Sequence, residues 1–136
     1  MNNELVNKLN QALAWELRAS AMYAHYAAYV GGIHRLHLSP YFEGEATESH
    51  QHAQMVRTAI VKLGGVAVTD RATEEIVHTT NYREILQECL KTEQAAAETY
   101  LEVLKLVDED DELFDVLQQV YFAEARAVEE INQLLV

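Results

Sequence analysis

The stretch VLQQVYFAEARAVEEINQLL, residues 116 to 135, has the spacing of a helix with one buried face. Leu117, Val120, Tyr121, Val128, Ile131, Leu134 and Leu135 recur at helical intervals along it. In the middle of that face sits Glu124. An ionised carboxylate buried there costs several kcal/mol unless something pairs with it.

Three more helical patterns precede this one. Residues 4 to 30 carry an inward stripe of Leu5, Leu9, Leu13, Leu17, Ala24 and Ala27, stopped by Gly31-Gly32. The second helix is expected to start with Ser39 as N-cap and Pro40 at the first helical position. It runs through Phe42, Ala46, Ala53, Val56, Ile60 and Leu63 to Gly64-Gly65. The third starts near Asn81, and Glu84 three residues on suggests a capping box. Its stripe is Ile85, Leu86, Cys89, Ala96, Tyr100, Val103 and Val107. The acidic run DEDDE, residues 108 to 112, ends it and favours the N-terminus of the fourth helix, from Leu113.

Residues 64 to 80 are the one long connection, and they would stretch roughly 55 Å at about 3.3 Å per residue. That exceeds the length of a ~24-residue helix, about 36 Å. The expected fold is therefore all-α, a four-helix bundle over residues 1–136 as a single domain. A long crossover between helices two and three would leave those two parallel. A plain up-down-up-down bundle satisfies the same pattern.

The composition excludes several function classes. Hydrophobic residues are 49% and charged residues 24%, ordinary for a globular protein. Ten Lys and Arg stand against 22 Asp and Glu, a net charge of −12 that repels phosphates and attracts cations, so no nucleic-acid partner is expected. No apolar run is long enough to span a bilayer, and MNNELVNKLN has no signal-peptide character. The single cysteine, Cys89, fits a reducing cytoplasm and a small core residue. No nucleophile-base-orienter set or phosphate loop is present.

Each of the other helices repeats the anomaly of the fourth. Glu16 lies on the inward stripe of helix one, His52 on that of helix two beside Ser49, and Glu93 between Cys89 and Ala96 in helix three. Each misfit falls near mid-helix, so helices aligned side by side put all four at one height. Three carboxylates cannot all stay ionised in a dry core without a countercharge. None of the stripes carries Lys or Arg at that level. Carboxylates with one imidazole suit iron, manganese or zinc, and metal ligation is the expected reason for burying Glu124.

These residues resemble the ferritin-like superfamily, and bacterioferritin most. The resemblance rests on LNQALAWELRASAMYAHY (9–26), EATESHQHAQ (45–54) and LGG (63–65), and extends over nearly the whole chain. It implies a four-helix bundle with a long crossover and a central di-iron site. That site takes a Glu from each of two helices and a Glu-x-x-His pair from each of the other two. Matched to the pattern, the single Glu positions are Glu16 and Glu93, and the paired positions keep His52 and Glu124. Ser49 stands where the Glu of the helix-two pair belongs, and Ala127 where the His of the helix-four pair belongs.

The resemblance thus implies iron, one or two ions per subunit, and an iron-storage or iron-handling role with a reduced di-iron site and weak ferroxidase activity. Glu16, His52 and Glu124 would serve the first metal position, and Glu93 with Glu124 the second. Glu48, one turn before His52, is a further candidate ligand. His50 matches the position of a haem-ligating Met in bacterioferritin, and a solvated surface His is its plainer reading. Tyr23 matches a tyrosine near the di-iron centre, with a core aromatic as alternative; His34-x-x-His37 is a surface pair. The resemblance stops at Val136, before the short fifth helix that closed cages of 24 subunits use, so a dimer or a smaller shell is equally compatible with it. Trp15, Tyr26 and Tyr29 fall outside the four seams and suggest a homo-oligomer, at least a dimer through helices one and two. Two other functions fit the same features: a silent partner subunit of a ferritin-like assembly, and an oxygen- or peroxide-reacting enzyme using another metal.

Overall fold

A computed structural model describes residues 3–136. It contains four long helices: α1 (Asn3–Tyr29), α2 (Arg35–Lys62), α3 (Tyr82–Leu104) and α4 (Glu112–Leu134). Among the described residues there is no strand. Local chemistry sets the ends. The Asn81 side chain caps α3 by accepting from the Arg83 and Glu84 N–H groups. The reciprocal half of a capping box is replaced, because the Asn81 N–H donates to Thr79 Oγ1 at 3.1 Å. At α4 the acidic run acts as expected, with Asp111 as N-cap accepting from Leu113 N–H.

Helix α2 starts earlier than its sequence suggests. It begins at Arg35, with Pro40 inside it and His34 at the N-cap position. The carbonyl that Pro40 leaves without a helical donor belongs to Leu36, which is 88% exposed, so the helix continues through the proline at an open position. Ser39 does not cap; its Oγ donates to the Ala27 carbonyl and pins α2 to α1. The inward stripe of α1 also drifts from expectation. Ala24 is exposed and Leu17 half-buried, whereas Ala12, Ala19 and Tyr23 are buried.

The crossover fixes the topology. Asn10 Nδ2 donates to Val66 O, Ala72 N–H to Ala14 O, Arg18 Nε to Glu74 O, Tyr26 Oη to Val77 O, and Gly31 N–H to Thr80 O. Residues 66 to 80 therefore climb α1 from its N-terminal end to its C-terminal end. Helix α3 then starts where α2 started, so α2 and α3 run parallel, and each is antiparallel to α1. Gly65 makes the first corner possible: a Cβ there would lie 2.7 Å from Val6 Cγ1. The same crossover buries Tyr26 within its own chain, so this residue is covered without any partner. Trp15 is half-buried and Tyr29 remains 49% exposed.

Two apolar clusters fill the bundle. One contains Leu9, Leu13, Val56, Ile60, Val103 and Leu117; the other contains Tyr23, Phe42, Ile85, Leu86, Cys89 and Ile131. Along every helix the break between them falls at the polar misfit. The bundle core is therefore two apolar blocks with a polar layer between.

Candidate metal centre

Each helix brings one side chain to this layer. Glu16, Glu93 and Glu124 are 0%, 2% and 4% exposed, and His52 is largely buried. His52 Nδ1 lies 3.1 Å from Glu124 Oε1 and 3.3 Å from Glu16 Oε2. Glu16, His52 and Glu124 each present a ligand atom within 4.8 Å of the others, the spread of donors that closes on one ion with small side-chain shifts. Glu93 stands outside this trio. It lines a small cavity together with Glu45, Ser49, His52, Glu124 and Ala127.

Two tyrosines hold the carboxylates. Tyr100 Oη donates to Glu16 Oε2 at 2.7 Å, and Tyr23 Oη donates to Glu93 Oε1 at 3.0 Å. Burial first, and then the neighbouring carboxylate charge, pushes both phenols well above their ordinary range, so both stay protonated donors. The other oxygen of Glu16, Oε1, is buried and has no hydrogen-bond partner. A fully buried carboxylate oxygen left in that state is costly unless a cation completes it.

The electrostatics describe a site balanced by protons when metal-free. Burial alone would depress the His52 imidazolium, but hydrogen bonds to Glu124 and Glu16 outweigh it and raise its pKa to about 10. Burial, then the Glu16 charge, lifts Glu124 to about 7. Burial, then the Glu124 charge, lifts Glu93 well above the carboxylate range. One imidazolium and carboxylic protons thus stand where a divalent ion would supply positive charge. The converging donor set, two carboxylates and one imidazole with an unpartnered oxygen, fits such an ion.

Of the remaining candidates only Glu48 reaches the layer, where it lines the same small cavity as Glu93. Glu48 Oε1 lies 3.6 Å from His52 Nε2, on the rim side of the imidazole, with its side chain 46% exposed. His50 is exposed. His34 and His37 pack near each other, their rings 5.5 Å apart, with His34 against Tyr82.

Three residues near the layer escape a reading of the stripes. Tyr100 looks like core, yet it donates to Glu16. The signal was present: Glu16 and Tyr23 are seven apart, as are Glu93 and Tyr100, and antiparallel α1 and α3 let each Tyr reach the other helix's Glu. Arg18 is a buried cation, but the crossover holds its guanidinium through the Glu74 and Glu75 carbonyls, with Thr92 Oγ1 as a further partner. The third is Glu45, half-buried on α2, whose pKa burial and then the Glu48 charge lift to about 7.

A family model described as a ferritin-like domain matches residues 6–136. The chain belongs to the ferritin-like family. A ferritin-like diiron-carboxylate protein of Bacillus anthracis strain Ames is 30% identical, with a TM-score of 0.92 and all of both chains covered. A dodecameric thioferritin, the bacterioferritin-related protein of Bacteroides fragilis, is 25% identical over 97% of this chain and 84% of that one, with a TM-score of 0.89. The DPS protein of Vibrio cholerae O1, 17% identical with a TM-score of 0.90, covers 98% of this chain and 89% of its own and shares the fold. No curated protein matches. The ferritin-like fold, with its four helices and crossover, is the one expected from the sequence. Among the described residues no helix is long and apolar enough to cross a membrane.

Proposed function

We propose that this ferritin-like chain binds iron and acts in iron storage or handling, with slow ferroxidase activity. The observation that carries the reading is the convergence of Glu16, His52 and Glu124 in a buried layer with one carboxylate oxygen left without a partner. Iron is the cargo, and ferrous iron held there supplies the electrons that dioxygen takes up.

The chain's own groups define how the ion is held. His52 turns Nδ1 toward Glu16 and Glu124, and Nε2 toward Glu48. Nδ1 is therefore the ligand atom, and Glu48, 3.6 Å from Nε2, faces the imidazole from the rim. Tyr100 and Tyr23 orient Glu16 and Glu93. Loading displaces the His52 proton and the carboxylic protons, so affinity rises with pH. An open hollow between α2 and α4, lined by Glu48, Gln51, His52, Gln119 and Ala123, gives ions a path to the imidazole. His50, exposed on α2, does not enter this scheme, and haem is not needed for it.

The site works as one domain in the cytoplasm, within a homo-oligomer. The dodecameric relative, similar over 97% of this chain, supports an assembly of that kind. Anaerobic titration with ferrous iron followed by air tests the function. The expected result is uptake by the wild type, slow oxidation, and loss of both in Glu124→Ala. If iron, manganese and zinc all fail to bind, and Glu124→Gln raises stability, the layer is a buried polar cluster and the reading is wrong.

A further inference from the structure

We propose that His25 on α1 and His78 on the crossover form a two-imidazole surface site for an imidazole-seeking divalent ion, copper(II) or zinc. The site is separate from the mid-bundle layer and does not depend on it. His25 follows Glu16 by nine residues on α1, about 13 Å along the helix axis.

Two elements deliver the rings independently. Helix α1 sets His25. The backbone on either side of His78 is pinned to α1 and to the turn after it: Tyr26 Oη donates to Val77 O at 2.6 Å, and Gly31 N–H donates to Thr80 O at 2.9 Å. The rings meet with His25 Nε2 3.0 Å from His78 Nδ1 and their centroids 5.2 Å apart. Tyr29 packs against both, its centroid 4.6 Å from that of His25 and 4.7 Å from that of His78, and closes a triangle of rings. His25 is half-buried and His78 exposed, so the pair is open to ions from solution.

The spacing is that of neighbouring ligands on one ion. At metal–nitrogen bonds of about 2.0 Å, adjacent donors stand about 2.8 Å apart in a square-planar sphere and about 3.3 Å apart in a tetrahedral one. The observed 3.0 Å lies between the two. Without an ion, the facing nitrogens share one hydrogen bond, in which one ring donates and the other accepts. With an ion, each ring in its neutral form offers the facing nitrogen and carries its N–H on the other one. A turn of the exposed His78 ring aims both lone pairs at the ion, and water fills the remaining positions. Imidazole ligands favour copper(II) and zinc over manganese, and the net charge of −12 draws cations to the surface. An ion held here ties the crossover to α1 near the end where α3 begins.

The test is titration of the intact chain with copper(II), read by electron paramagnetic resonance. It is run on the wild type and on Glu124→Ala, which removes a ligand of the layer. Both should give a copper signal coupled to two imidazole nitrogens, a pattern that the layer, with its one imidazole, does not supply. His78→Gln and His25→Gln should each abolish the two-nitrogen pattern. Each should also weaken that binding step at least about tenfold, the low end of the cost for a residue that merely supports a metal site. His34→Gln and His37→Gln together, on the other surface pair, should leave signal and affinity unchanged. Metal-free melting curves check folding, and the exposed His78→Gln decides where His25→Gln fails that check. A two-nitrogen signal that survives His78→Gln, or one that disappears with His34 and His37, overturns the inference. Absence of the signal from both the wild type and Glu124→Ala overturns it as well, and leaves the proposed function of the layer standing.

Discussion

The apolar blocks and the polar layer between them come from the same four helices, and they answer to opposite requirements. Leu13, Val56, Val103 and Leu117 on one side, and Phe42, Leu86, Cys89 and Ile131 on the other, gain by leaving water. Glu16, Glu93 and Glu124 lose by it, and the protein retains them at full burial. Cooperative folding comes from the blocks; on the proposed reading the layer is kept for the metal it binds. Metal should therefore change the energetics of the layer and leave those of the blocks unchanged.

Chemical denaturation with and without manganese(II) separates the two. Leu13→Ala, inside a block at 0% exposure, should cost about 2–5 kcal/mol by the usual range for such truncations, equally in both conditions. The wild type should gain about 2.7 kcal/mol at a free-metal concentration of 100 Kd, and Glu124→Ala should gain nothing. Gly65→Ala forces a Cβ against Val6 at the corner into the crossover and should cost about 1–3 kcal/mol, whether or not metal is present. Asn81→Ala removes the α3 cap at the far end of the crossover and should cost about 1 kcal/mol, again without regard to metal. A loss at Leu13 or Gly65 that metal largely restores would break the distinction between blocks and layer.

The sequence displays the blocks because burial repeats with helical period, and it displays the layer because a carboxylate interrupts that period at Glu16, Glu93 and Glu124. The start of α2 was not legible there. Pro40 reads as a first helical residue, and only the exposure of Leu36 lets a helix continue through it. Tyr26 looked like a partner surface because the path of residues 66 to 80 over α1 depends on tertiary hydrogen bonds. Glu45 was hidden for a related reason. Its place beside Glu93 and Ala127 follows from the relative direction of α2, α3 and α4, which no single stripe records. Tyr100 was legible in principle through the repeated seven-residue Glu-to-Tyr spacing, which needs the antiparallel pairing of α1 with α3 to acquire meaning.

The central claim is that the layer is a metal centre. Crystals grown metal-free and soaked anaerobically in manganese(II), with anomalous diffraction recorded for the wild type and Glu124→Ala, test it most directly. The account predicts an anomalous peak bonded to Glu16, His52 Nδ1 and Glu124 in the wild type, with no peak at that position in the variant. Wild-type crystals soaked to saturation with no peak in the layer, and His52 still hydrogen-bonded to Glu124, would contradict it.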